Sequence, residues 1–409
     1  MNPWLVARAG FVRHRISYAL FCLLIALATA IGVAVSAQEA ALRQGSARAA
    51  DKFDLVIAAP GSQTDVTLAA IYLRPGSVPL MTPSDTARAL AEPRVKFAAP
   101  LGYGDSYQGS PIVGTTAGFV DYLSGGLQSG HMFADENDAI EGAAVDLPIG
   151  GRFHPIHGVG EEGEDESDPN HVHHEHGGVT LAVVGRMKPT GTPWDNAIVI
   201  PIESVWRTHQ LPNGHAEGDP HIGPPFAPDR VPGVPAIVMA PRSINDAYGL
   251  RGLYRTTTTM AFFPAEALVP LYAVMGNIRD AMSWFALATQ ALVVLSILAG
   301  LVAILTLHRR QFAVLRALGA PRRYIFACVY MQSALLVISG AAMGLALGWL
   351  AAFILSAVLT ARTGIAMPLA IGPDELTLVA GFVAFGLMAS VVPAIAAFRR
   401  PPIEALSGQ

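Results

Sequence analysis

Uninterrupted apolar runs constrain this chain more than any other feature. Residues 16–35, 282–307, 324–358 and 376–398 each hold enough apolar side chains to cross a hydrocarbon layer of about 30 Å as a helix. Between the second and third runs lies LHRRQFAVLRALGAPRRYIF, residues 307–326, with Arg309, Arg310, Arg316, Arg322, Arg323 and no acid. An excess of Lys and Arg in a short loop beside a span faces the cytoplasm. That rule assigns 1–15, 308–323 and 399–409 to the cytoplasm, and 36–281 and the short loop 359–375 to the other side. The inner segments carry ten arginines against Glu404 alone, whereas 36–281 carries 28 acids and 16 bases. The expected fold is a membrane protein with four transmembrane α-helices and a large α+β extracytoplasmic domain.

Composition agrees: 52% of residues are hydrophobic, 14% are charged, and mean hydropathy is +0.41. Both cysteines, Cys22 and Cys328, fall in apolar runs, so no disulfide framework is implied. The charge split argues against a nucleic-acid partner and for a lipid bilayer. Val35-Ser36-Ala37 could serve as a cleavage site, but the run before it is longer than a secretory h-region, so 16–35 reads as a retained anchor.

In the basic loop, Phe312, Leu315 and Leu318 recur at helical spacing on one face, and Gly319 is placed to stop the helix. Such a helix suits docking of a cytoplasmic partner, and it equally suits a passive turn at the lipid surface. Gly340, Gly344 and Gly348 line one face of the third run, where small residues let another helix approach closely. None of the four runs holds an Asp, Glu, Lys, Arg or His deep inside, which weakens any route for a proton or metal through them.

The outer segment opens with a helical stalk over 40–50. Strand-like runs follow at 53–58, 66–73, 95–98, 179–184, 197–202 and 234–239, separated by Gly/Pro turns. A helix over 262–278 is expected to lead back to the membrane. Ten of the twelve histidines fall in this domain. His154 and His157 precede an acidic stretch and then His171, His173, His174 and His176, together a His-rich loop over 154–176. His209, His215 and His221 lie downstream. Imidazole is the commonest protein ligand for zinc, and the HxHHxH spacing suits adjustable capture of Zn, Ni or Cu rather than one tetrahedral site. The alternative is a solvated loop with incidental histidines.

RRQFAVLRALGAPRRYI (309–325) resembles the intracellular loop of FtsX-like permeases, the MacB/LolC-type subunits of ABC transporters, and FRRPPIEAL (398–406) resembles that family's closing motif. The resemblance implies that Arg309, Arg310, Gln311, Phe312, Leu315, Arg316, Leu318 and Gly319 couple to a cytoplasmic ABC ATPase dimer that carries the ATP. It implies a homodimer, with Gly340, Gly344 and Gly348 at a helix contact. Gln311 stands where the pattern expects Glu, a departure that alters the docking contact. TGTPWD (190–195) is similar to family members with His-rich loops linked to zinc homeostasis. From that likeness follow zinc on the loop and a periplasmic metal-binding protein as a further partner, in a bacterial inner membrane with the large domain in the periplasm. Trp194 and Trp206 read as core residues.

No GxxxxGK[ST] loop, HExxH or GxSxG occurs, so the chain itself reads as non-catalytic, with no cofactor of its own. Within the family the alternatives are export of lipoprotein or a small molecule, and FtsX-type control of an outer hydrolase without transport.

Overall fold

A computed structural model describes residues 3–13, 15–74, 76–157, 179–270, 272–273, 284, 288, 291, 319–370, 372–392 and 394–395. The helices in chain order are α1 (Pro3–Arg13), α2 (Arg15–Ala50), α3 (Gln63–Ala70), α4 (Pro83–Leu90), α5 (Ala117–Ser124), α6 (Ile202–Thr208), α7 (Ile244–Leu253), α8 (Arg322–Thr363) and α9 (Pro373–Ala389). The strands are β1 (Leu55–Ala58), β2 (Val95–Tyr107), β3 (Ser110–Thr115), β4 (Leu127–Gly130), β5 (Asp138–Glu141), β6 (Arg152–Phe153), β7 (Ile156–His157), β8 (Leu181–Met187), β9 (Ile198–Pro201), β10 (Ala236–Pro241) and β11 (Met260–Phe262). Two compact units result: residues 1–42, 274–358 and 368–409, and residues 43–273 with 359–367.

In the first unit, α2 and α8 are long and apolar enough to cross a membrane. Leu20, Leu27, Phe353 and Ile354 are each more than half exposed on them, a surface that suits lipid and that water penalises. The α2 side of α8 is made of small residues. A methyl group on Gly340 would sit 2.6 Å from Ile25 Cγ2, on Gly344 2.5 Å from Thr29 Cβ, and on Gly348 2.6 Å from the Ala30 carbonyl oxygen. The three glycines therefore let α2 and α8 touch backbone to backbone. Gly386 of α9 makes a similar approach to Val337, 2.6 Å from its Cγ1. At the start of α9, Glu375 is 3% exposed and accepts from Ser36 Oγ on α2 at 2.9 Å and from the Gly372 amide at 2.8 Å.

The second unit is built on an eleven-stranded mixed sheet in the order β11-β1-β10-β2-β3-β9-β5-β8-β4, with β6 on β8 and β7 on β2. β2 joins its halves. Its first part pairs with β10 and its second with β3, the change falling between Leu101 and Gly102. One half packs Leu55, Ile57, Ile237, Met239, Trp206 and Tyr254 into a core under α4, α6 and α7. The other packs Ile112, Ala139, Phe153, Leu181, Val183 and Ile198. Between β5 and β8 the fully buried Glu141 pairs with Arg186 at 2.6 Å, and its other oxygen accepts from the Leu147 amide at 3.0 Å. That buried acid is paired and hydrogen-bonded, as burial of charge demands.

One sequence expectation fails. Residues 66–73 read as a strand from their apolar and β-branched content, yet 63–70 form α3. The Ser62 side chain accepts from the Asp65 amide at 3.2 Å as N-cap, and Val66, Ala69 and Ala70 bury one helical face. Capping and the i, i+3, i+4 face outweigh β propensity here.

Gly344→Leu is expected to lower the thermal unfolding midpoint of the detergent-solubilised protein, because overpacking this contact costs about 1–3 kcal/mol. An unchanged midpoint would mean that α2 and α8 do not meet there.

Candidate functional site

The sequence-derived candidates divide between described and undescribed residues. Arg309, Arg310, Gln311, Phe312, Leu315, Arg316 and Leu318 lie outside the described residues, as do His171, His173, His174 and His176. Gly319 is described and has φ +95°, the left-handed region that favours glycine. After it, Ala320 is buried with Tyr324 and Cys328, and the side chains of Arg322 and Arg323 are exposed at the start of α8.

His154 is exposed, and its Nδ1 lies 3.1 Å from the Val179 carbonyl oxygen. The His157 backbone pairs with Asp105 of β2. Arg152 and Phe153 pair with Ala182 and Leu181. Residues 158–178, which include the tract 171–176, lie outside the described residues. Among the described residues no group of three His, Cys, Asp or Glu comes together to hold a metal. His215 is 3% exposed, with Nε2 3.3 Å from Glu203 Oε1, and the same oxygen accepts from the Gly223 amide at 2.6 Å. Burial pushes the Glu203 carboxyl above its usual range. This pair staples the 209–223 segment to α6.

The most densely built polar feature of the second unit is the turn 190–196. Asp195, 9% exposed, accepts from the Thr190 amide, the Thr190 hydroxyl and the Gly191 amide, each at 2.7 Å. These bonds make the turn rigid and leave the Gly191 carbonyl outward, where it accepts from the Ala366 amide at 2.9 Å. Residues 359–367, the last turn of α8 and the segment after it, are thereby bound to the sheet domain. Gly364 takes φ +70°, and a methyl group there would sit 2.9 Å from Pro193 Cα. On its other side the segment meets the end of α2: a methyl group on Gly45 would sit 2.6 Å from the Ala366 carbonyl oxygen.

Beneath the turn, Trp194 is fully buried against Phe119, with ring centroids 5.5 Å apart, and against Phe53 at 6.1 Å. Phe53 follows directly on α2, its amide donating to the Ala50 carbonyl at 3.0 Å. The chain leaving α2 and the chain leaving α8 are thus fixed to one turn, through Phe53 and through Ala366. The sequence named TGTPWD only by likeness. Nothing in its spacing gave Gly364, Ala366 or Gly45, which meet it from positions far away in the chain.

Asp195→Ala removes three hydrogen bonds to a buried carboxylate, and at the magnitude of charged hydrogen bonds the protein should lose about 3 kcal/mol or more. Asp195→Asn, which keeps one acceptor, should lose less. Urea unfolding followed by tryptophan fluorescence checks both, and equal stability of wild type and Ala variant would discard this role for the carboxylate.

Residues 283–402 match the family model described as FtsX-like permease C-terminal. No curated protein matches the chain. The match takes in the basic loop, the glycine face of α8, the segment 359–367 and α9. Residues 283–402 thus carry an FtsX-like permease C-terminal domain, in a chain with two helices long and apolar enough to cross a membrane.

Proposed function

We propose that this chain is the transmembrane permease subunit of an ABC transporter of the MacB/LolC/FtsX type, in the bacterial inner membrane, with residues 36–281 in the periplasm. Four spans, 16–35, 282–307, 324–358 and 376–398, carry it across. A separate cytoplasmic ATPase dimer docks on the helix through Leu318, using Phe312, Leu315 and Leu318, while Arg309, Arg310, Arg316, Arg322 and Arg323 hold the loop at the inner surface. Two copies of the chain form the working unit. Members of this family are typically non-catalytic subunits, and the sequence offers no nucleotide-binding loop to change that.

One observation carries the reading: the chain leaving α2 and the chain leaving α8 converge on the turn held by Asp195. On this reading, displacement of either helix reaches the sheet domain through residues 43–53 and 359–367, which belong to that domain. This supports a machine that moves its outer domain. It does not require cargo to pass between the spans.

Zinc handling is the substrate reading. The described histidines do not assemble a site, so metal capture would rest on His171, His173, His174 and His176. Calorimetric zinc titration of the full chain in detergent should give saturable binding that is lost when these four become Ala. Equal binding in both proteins would remove the tract from the function and leave a permease with another cargo. Leu315→Asp with Leu318→Asp is expected to abolish co-purification of the ATPase from native membranes, and an intact complex would refute the docking helix.

A further inference from the structure

A half-open cleft of about 350 Å³ lies in the sheet domain, between the segment following α3 and the β2–β3 hairpin. Its volume is within the range of roughly 300–1,000 Å³ found for small-molecule sites. The segment is pinned at both ends. The Arg74 amide donates to the Leu68 carbonyl at 3.0 Å, and the Met81 amide to the Val234 carbonyl at 2.9 Å. Between these pins, Gly76, Ser77 and Val78 donate no backbone hydrogen bond to another described residue. Leu73, at the cleft, has φ +52°. That conformation is a strained one for a branched side chain, of the kind that concentrates at ligand sites.

The facing wall is irregular in a matching way. The β2–β3 register shifts between Tyr103 and Asp105, and Gly104 takes φ +144°. A bulge of this kind re-aims side chains and recurs beside binding sites. Most of the lining is apolar, with Leu73, Val78 and Ile112 on the two walls. Arg74 is exposed at the cleft and makes no ion pair among the described residues. Asp105 also lines the cleft but is 7% exposed, so the accessible charge there is the arginine's.

We propose that this cleft binds a small organic anion, its apolar body against Leu73, Val78 and Ile112 and its carboxylate at the Arg74 guanidinium and the amides of Gly76 and Ser77. A planar guanidinium matches a carboxylate in two-pronged fashion, and unpaired amides beside it add donors without adding charge. The site is independent of the transport reading and stands or falls separately.

The test is equilibrium dialysis of 1-naphthaleneacetate against the full chain in nanodiscs, with protein-free nanodiscs as reference and 1-naphthaleneethanol as the neutral analogue. Saturable binding above the reference is expected. Arg74→Gln should weaken it about tenfold, the loss of one charge-assisted contact, and Val78→Trp, which fills the cleft, should abolish it. Arg74 is a surface residue, so its variant should unfold at the same temperature as the wild type. Absence of saturable binding, or binding that either variant leaves unchanged, overturns the site. Equal affinity for the acid and the alcohol overturns the anionic class.

Discussion

In hydrocarbon every backbone N–H and C=O must be satisfied within its own segment, which is why spans are helices and why they are stiff along their axes. That constraint decides where this chain can do anything other than hold its shape. α2 and α8 carry no break in their hydrogen bonding from Arg15 to Ala50 and from Arg322 to Thr363. Irregular backbone is confined to what lies beyond them, and the first irregular segment after α8 is the one bound to the turn at Gly191.

The rigidity of that turn is electrostatic in origin. A buried carboxylate is costly unless its lone pairs are met, and Asp195 meets its own with two amides and a hydroxyl on the turn it belongs to. Elsewhere in the domain the same rule gives different outcomes. Glu141 is met by Arg186 and an amide. Glu203 has one oxygen occupied by His215 and Gly223 and the other without a hydrogen-bond partner among the described residues, and burial makes it hold its proton more tightly than an exposed carboxyl does. As pH rises through the raised value of Glu203, the stability that its proton contributed is lost, and the pairing with His215 offsets part of that loss.

Legibility in the sequence followed the range of the forces involved. Apolar runs and the basic loop are local and announce themselves, and so do β1, β8, β9 and β10, which lie within or beside the expected strand runs. Gly319 was singled out by residue type, and its φ of +95° is a single-residue property, while the helix it was expected to stop lies outside the described residues. α3 was misread because its decisive feature, the Ser62 cap, is one hydrogen bond outside the apolar pattern. The glycine face at 340, 344 and 348 announced a close approach. That its neighbour is α2 of the same chain depends on Ile25, Thr29 and Ala30, some 300 residues earlier. The docking of Ala366 on Gly191 leaves no sequence signal, because backbone-to-backbone hydrogen bonds do not depend on side-chain identity.

The scarcity of charge within the apolar runs bears on mechanism more than any single residue does. A metal or proton crossing a bilayer needs side chains that replace water along the way. Glu375 comes nearest, yet it sits in the first turn of α9 with both oxygens committed, one to Ser36 and one to the Gly372 amide. It serves as a cap and a tie between helices. Charge is concentrated instead in residues 36–281 and in the basic loop. On the proposed reading the spans carry force, and the chemistry of selection belongs to the outer domain.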